Sequence, residues 1–395
     1  MSAAKIRRIR LGRAPNCSSL GNVVNVLIWS QAAMAALWVA AESWPTRRRR
    51  DEPGGGETRA TDDPPALVST ATENGAPHEA HVQVTRACAM PCPTCHIDPE
   101  VGGEHVPAAV LAERFRGLAA AGVFHVALGG GEALAHPDLA EIAASARAAG
   151  LSVGLTTSGV GNLSAIVGFD QVNVSIDALG EGYARVRGYA GEAAALAAIR
   201  ALLGAGVPVG VNIVLDREGF AALGETVDAV VALGVRDVHL LRLKPTGRAG
   251  GVYLDRRLTP AQGMAVWPAL LELLGRHPEV SFRVDCAMTP FLAAHGVDPA
   301  RMREVGWTGC HGGDALLAVN TAGELAPCSF VAGPPDPGWR GGVRAEPCAS
   351  CAWSATCRGG CHAVASFLRG SLLAPDPECA LVIAHDRDSI QNSIK

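Results

Sequence analysis

The chain has 395 residues, 48% of them hydrophobic, with 34 Lys and Arg against 38 Asp and Glu and a formal net charge of −4. That is enough chain for one large domain and a smaller one, and the slightly acidic balance lacks the basic face that a nucleic-acid partner requires. Ten of its 12 cysteines gather in one short loop and in the C-terminal quarter at metal-type spacings, which predicts a reducing, cytoplasmic protein rather than a secreted disulfide framework.

In chain order, residues 1–44 open on Lys5-Ile-Arg-Arg-Ile-Arg10 and turn apolar from Val23 to Ala41, interrupted by Asn25, Ser30 and Gln31. The run is just long enough to span a bilayer, but positive charge on both flanks sets no orientation. Membrane contact through residues 23–41 is one reading. A docking helix or leader-like segment suits the small and polar residues better, and it is the expectation. Cys17 is expected as a free thiol. Residues 45–79 are rich in Pro, Gly, Thr, Glu and Arg, can bury little, and read as a flexible linker.

From residue 80 to about residue 250 apolar runs alternate with alanine-rich amphipathic ones. The pattern predicts strands at 81–85, 123–128, 151–155, 170–176, 208–214 and 236–243, and helices at 106–121, 137–149, 191–205 and 220–233. Gly122, Gly150, Gly204, Gly206 and Gly234 fall at helix ends, where a residue tolerant of positive φ is wanted. Alternation of this kind means a parallel sheet with helices outside, curved into a partial (β/α)6 TIM-like barrel. Residues 251–309 read as bridging helices, with a long one over 258–276, and residues 310–385 as a cysteine-rich C-terminal extension.

Cys88-Ala-Met-Pro-Cys92-Pro-Thr-Cys95 follows the first strand. Three thiolates fall one short of the four that a structural zinc site fills, and a three-cysteine 4Fe–4S cluster keeps one iron open. Gly129-Gly130-Gly131-Glu132 follows the second strand, and Ser175-Ile-Asp177 ends the fourth. Barrel chemistry sits at the C-terminal ends of strands, so these segments can meet over one cavity.

Cys88, Cys92 and Cys95, together with Gly130, Gly131 and Glu132, resemble the signature motifs of the radical S-adenosylmethionine (SAM) superfamily. The resemblance implies that SAM chelates the open iron and is cleaved by a cluster electron to methionine and a 5′-deoxyadenosyl radical. The residue before the third cysteine is commonly aromatic in the family; here it is Thr94. Gly130 and Gly131 would let the backbone approach the methionine part of SAM. Glu132 would help hold its ammonium, the alternative being a cap on the following helix. The resemblance also points to Ser175 for the ribose hydroxyls or carboxylate. Asp177 could share that work or be a turn residue, and Arg187 could pair with the SAM carboxylate or lie on the surface. Thr156-Thr-Ser-Gly159 resembles the family's loop after the third strand, or is a polar turn.

The last constellation is Cys310, then Gly323 and Cys328, then Cys348, Cys351, Cys357 and Cys361 at spacings of two, five and three intervening residues, and Cys379. It resembles the SPASM extension of peptide- and protein-modifying radical SAM enzymes. That resemblance implies two auxiliary 4Fe–4S clusters, three in all. Cys348, Cys351, Cys357 and Cys379 would hold the outer one, and Cys310, Cys328 and Cys361 the inner. Cys286 is the candidate fourth inner ligand, against an open iron there; zinc on the central run is the alternative for the array. The expected activity is oxidative modification of a ribosomally made peptide, with a flavodoxin- or ferredoxin-type electron donor. Sulfatase maturation, tetrapyrrole tailoring and a non-catalytic cluster-binding partner are the alternatives. Sulfatase maturases carry an aspartate directly after the cysteine matching Cys328, where this chain has Ser329.

Overall fold

The computed structural model describes residues 77–304, 307–334 and 342–393. The readings of residues 1–44, including Cys17 and the 23–41 run, lie outside them, as does most of the stretch read as a linker. Among the described residues no helix is long and apolar enough to cross a membrane.

Six strands arise where expected: β1 (Glu79–Thr85), β2 (His125–Gly130), β3 (Ser152–Thr157), β4 (Gln171–Ser175), β5 (Val209–Leu215) and β6 (Asp237–Arg242). Between them run α1 (Ala108–Ala120), α2 (Leu139–Ala148), α3 (Glu181–Arg187), α4 (Glu192–Gly204), α5 (Arg217–Ala221) and α6 (Leu223–Ala232). The single helix expected over 220–233 is two, and α3 was not foreseen. Gly122, Gly150, Gly206 and Gly234 take positive φ after their helices, whereas Gly204 closes α4 within the helix. After β6 come α7 (Ala249–Arg256) and α8 (Pro260–Arg276). The latter opens on a capping box, with Thr259 Oγ1 accepting from the Gln262 backbone and the Gln262 side chain accepting from Thr259 N, an arrangement that satisfies two otherwise orphaned donors.

The sheet is larger than six strands. β7 (Ser281–Val284) lies within the segment read as bridging helices, and β8 (Leu316–Val319) and β9 (Leu325–Ala326) come from the C-terminal extension. The order is β7-β6-β5-β4-β3-β2-β1-β8-β9. Every neighbouring pair is parallel except β8 with β9, so β1 is flanked by β2 and by β8. The two ends, β7 and β9, do not pair, and the barrel stays open.

One face of each strand packs under the helices: Ala80, Val82, Val126, Leu128, Val153, Leu155, Val172, Val174, Val211, Ile213, Val238 and Leu240 are buried in one core with Leu111, Phe115, Ile142, Ile199 and Val230. The opposite face is polar and concave. Gln171 Nε2 of β4 donates to Asp237 Oδ2 of β6 over 2.7 Å, a chord across β5 that passes where Gly210 has no side chain and a Cβ would meet Asn173 Oδ1 at 2.4 Å. Glu79 of β1 and His239 on β6 influence each other's ionisation. Strands five apart in the sheet influence one another only because the sheet curls.

The C-terminal extension is fastened to the barrel by a buried ion network. Arg242, at the end of β6, grips Asp376 with both terminal nitrogens (2.6 and 3.0 Å) and reaches Glu378 at 2.9 Å. Asp376 Oδ2 also accepts from Cys361 N at 2.9 Å, and Tyr253 donates to Glu378 at 2.8 Å. A bidentate arginine fork suits this task, since it satisfies two carboxylate oxygens with fixed geometry.

Candidate active site

The loop carrying Cys88, Cys92 and Cys95 leaves the C-terminal end of β1 and is clamped from both sides. On one side, Gly131 N donates to Thr85 O and Glu132 N to Ala87 O, both over 2.8 Å. A Cβ on Gly130 would stand 2.3 Å from Thr85 O, and one on Gly131 would stand 2.3 Å from Ala87 O. These two glycines therefore answer to the backbone of the cysteine loop, which needs their missing side chains in order to come this close. On the other side, the loop after β6 folds over the third cysteine: Ala249 N donates to Cys95 O at 3.1 Å, and Arg248 reaches Met90 O at 3.5 Å and Asp98 at 3.2 Å. Arg248 was not foreseen, because nothing in its sequence neighbourhood marks it.

Glu132 is buried and fully engaged. Its Oε1 accepts from Thr157 Oγ1 at 2.6 Å and Leu134 N at 3.1 Å, and its Oε2 from Ser158 N at 2.8 Å and Ser158 Oγ at 2.5 Å. Four donors use up the four acceptor sites of a carboxylate. The capping alternative is what the geometry displays, extended into a staple between the ends of β2 and β3. Thr157 and Ser158 belong to the segment read as the family's third loop, and this is their contact.

Asp177 is likewise engaged, accepting from Val214 N at 2.7 Å and from Arg187 Nη1 at 3.0 Å. It holds Arg187 in place. Burial works against the Arg187 charge, but Asp177 and then Cys92 outweigh it and raise the guanidinium above its ordinary value. Arg187 is 13% exposed and not a surface residue; its Nε is buried with no hydrogen-bond partner. Ser175 stands half-buried at the end of β4, opposite Asn212 in register. Asn212 Oδ1 is a second buried polar atom with no partner. Sequence reasoning passed it over, and its position on the same strand register as Ser175 is the signal that finds it. An unused donor and an unused acceptor in the same region suit a zwitterionic ligand, since orphaned buried polar groups are costly unless something meets them.

The eleven described cysteines are free thiols, and their mutual influence sorts them into three sets. Cys92 interacts with Cys88 and Cys95. Cys286 hydrogen-bonds Cys310, and Cys328 interacts with Cys310 and Cys361. Cys348 interacts with Cys351 and Cys379, and Cys357 with Cys379 and Cys348. Burial pushes Cys328 up to about 12 and Cys348 and Cys361 to about 11. A cavity of about 600 Å³ opens among Cys348, Cys351, Cys357 and Cys379, with Trp353 and Val382 in its wall. Among the described residues no three or more His, Cys, Asp and Glu side chains are gathered for a single metal ion. Beside the second set lies Lys244, buried, paired with Asp285 and 4.2 Å from the Phe330 ring centroid. Burial opposes its charge, but Asp285, Cys361 and Cys286 outweigh that and raise the ammonium.

Comparison with known proteins agrees with this arrangement. Residues 82–230 match the model of the radical SAM superfamily. The PqqA peptide cyclase of Methylocella silvestris is 30% identical over 340 residues, covering 77% of this chain and 88% of that protein. A pre-heme d1 synthase of Dinoroseobacter shibae is 28% identical, covering 76% and 85%. In fold, the chain resembles Streptococcus suis SuiB bound to the precursor peptide SuiA, with a TM-score of 0.66 at 14% identity over 89% of this chain and 88% of that one. The loop geometry, the open barrel and these similarities agree: the chain belongs to the radical SAM superfamily, enzymes that bind SAM at an iron–sulfur cluster.

Proposed function

We propose that the protein is a maturase that oxidatively modifies a ribosomally made peptide, closing a thioether, carbon–carbon or similar crosslink. The observation that carries this reading is the sorting of eleven thiols into sets of three, four and four. Cys88, Cys92 and Cys95 would hold the SAM-binding 4Fe–4S cluster. Cys286, Cys310, Cys328 and Cys361 would hold an inner auxiliary cluster, and Cys348, Cys351, Cys357 and Cys379 an outer one, within residues 310–385 apart from Cys286. These donors suit the groups. Buried thiols kept protonated by desolvation lose that proton to a bound cation, and the cavity among the outer four leaves room for more than one ion.

When bound, cluster and SAM together supply the carbon radical that takes hydrogen from the peptide. The chain's own residues would orient them: Arg187, held by Asp177, has an unused Nε that would meet the SAM carboxylate, Ser175 and Asn212 would meet other polar groups, and Glu132 fixes the loops behind. The similarity to a PqqA peptide cyclase supports a peptide substrate. Two auxiliary clusters suit a reaction in which the substrate radical sheds an electron, and a flavodoxin- or ferredoxin-type protein would reduce the SAM cluster. Ser329, standing where sulfatase maturases have aspartate, argues against that activity. Tetrapyrrole tailoring is the second reading, favoured by the similarity to a pre-heme d1 synthase.

The test is anaerobic reconstitution followed by three measurements. Iron should reach about twelve atoms per chain, as three four-iron clusters require. SAM with dithionite should yield 5′-deoxyadenosine. A peptide encoded beside the gene should lose two hydrogens. Iron near four would remove the auxiliary clusters, and an unaltered peptide with consumption of a haem precursor would turn the reading to tetrapyrroles.

A further inference from the structure

A line of three hydrogen-bonded side chains crosses the concave face apart from the residues that would hold SAM. Ser329 Oγ lies 3.0 Å from His81 Nδ1, and His81 Nε2 lies 3.2 Å from Glu79 Oε1. Glu79 and His81 stand two apart on β1 and so share a face, while Ser329 arrives from 248 residues further along the chain. It directly follows Cys328 of the inner set. It directly precedes Phe330, whose ring centroid is 5.0 Å from that of His96, the residue after Cys95. The line therefore begins between the first cysteine loop and the inner cysteines and runs inward along the strand. The side chains of His81 and Glu79 are 37% and 40% exposed, so both can exchange protons with water.

Each member has the chemistry of a proton carrier. A hydroxyl both donates and accepts, an imidazole takes a proton at one nitrogen while giving one from the other, and a carboxylate stabilises the imidazolium. Burial works to raise the Glu79 carboxyl, but His81, then His125 and His239, outweigh it and hold it at about 2, so it is anionic at neutral pH. The other groups facing His81 are His125 on β2 and His96 on the cysteine loop. His239 and Arg283 face Glu79 from β6 and β7. Glu79 is the one carboxylate bonded to His81 and opposes these basic neighbours.

We propose that Ser329, His81 and Glu79 form the relay that takes up the proton released when the peptide radical is oxidised. This rests on the maturase reading. As the carbon radical bonds to the sulfur or carbon of an X–H group, the X–H bond breaks. One electron would pass to the group held by the inner cysteines, and the proton would pass through Ser329 to the His81 imidazole, which later returns it to water. His81 is a positioning residue in this scheme, acting through Ser329, and its mark is a link between electron arrival and proton uptake.

That link can be read without a peptide. The reconstituted full chain is titrated potentiometrically and followed by electron paramagnetic resonance between about pH 5 and 8, the range over which an imidazole changes charge. One auxiliary signal should show a midpoint potential that falls as pH rises. The dependence should vanish in His81→Gln, move to lower pH in Glu79→Gln, and weaken in Ser329→Ala, which removes only a hydroxyl. The SAM-cluster and second auxiliary signals should stay unchanged. A pH-independent potential in the wild type, or a dependence that survives His81→Gln, overturns the relay while leaving the maturase standing. Absence of any auxiliary signal overturns both.

Discussion

Replacing Glu132 by Gln tests whether its carboxylate serves as a staple or as a ligand for SAM. The amide keeps one acceptor oxygen and turns an NH2 toward two groups that now donate to the carboxylate, either Leu134 N with Thr157 Oγ1 or Ser158 N with Ser158 Oγ. A hydroxyl can rotate to accept, but a backbone N–H cannot. One buried N–H is therefore left facing a donor, and the remaining bonds lose their charge. With hydrogen bonds to charged groups at roughly 1.5–3 kcal/mol and a stranded buried donor at roughly 1–3 kcal/mol, the expected loss is about 3 kcal/mol. The assay compares urea midpoints of wild type and variant by circular dichroism under anaerobic conditions, with unchanged slope as the sign that stability alone has moved. SAM affinity is measured beside it by equilibrium dialysis. A variant as stable as wild type that has lost SAM binding would refute the staple and restore the ligand role.

Gly131→Ala would put a methyl 2.3 Å from Ala87 O, where only backbone could give way; a cost of about 2 kcal/mol and a loss of about four irons per chain are expected, read by denaturation and iron analysis. Arg242→Met leaves the Asp376 carboxylate buried without its guanidinium partner, while Glu378 keeps Arg257 and Tyr253. It should destabilise by about 3–5 kcal/mol, with partial recovery when Asp376 is also made apolar. Burial, then Arg283, hold the His239 imidazole down at about 3 against an ordinary 6.5. The unfolded chain therefore binds a proton that the folded one refuses: His239's share of stability is complete above pH 6.5 and is lost as pH falls toward 3. The limiting slope is about 1.4 kcal/mol per pH unit. His239→Gln should flatten the stability profile between pH 6.5 and about 5, and an unchanged profile would refute this.

Local pattern carried the six barrel strands, because alternation is written in consecutive residues. Long-range geometry was not legible. β8 is four residues between cysteines, too short to show a period, and its place beside β1 depends on residues more than two hundred positions away. The Arg242–Asp376 pair joins positions 134 apart. The contacts of Glu132 were not legible, since the hydroxyls that bond it arrive from a different strand. The Arg187 contact of Asp177 was likewise not legible.

The position of β1 has a consequence for biogenesis. Its second edge is closed by a segment synthesised more than two hundred residues later. On the ribosome that edge waits while about 230 residues are added, on the order of tens of seconds at ordinary elongation rates. A nascent chain holding its thiol loop on a half-paired strand would invite either a guarding factor or premature oxidation. Metal loading is thus best timed after β8 has paired and closed the strand's second edge.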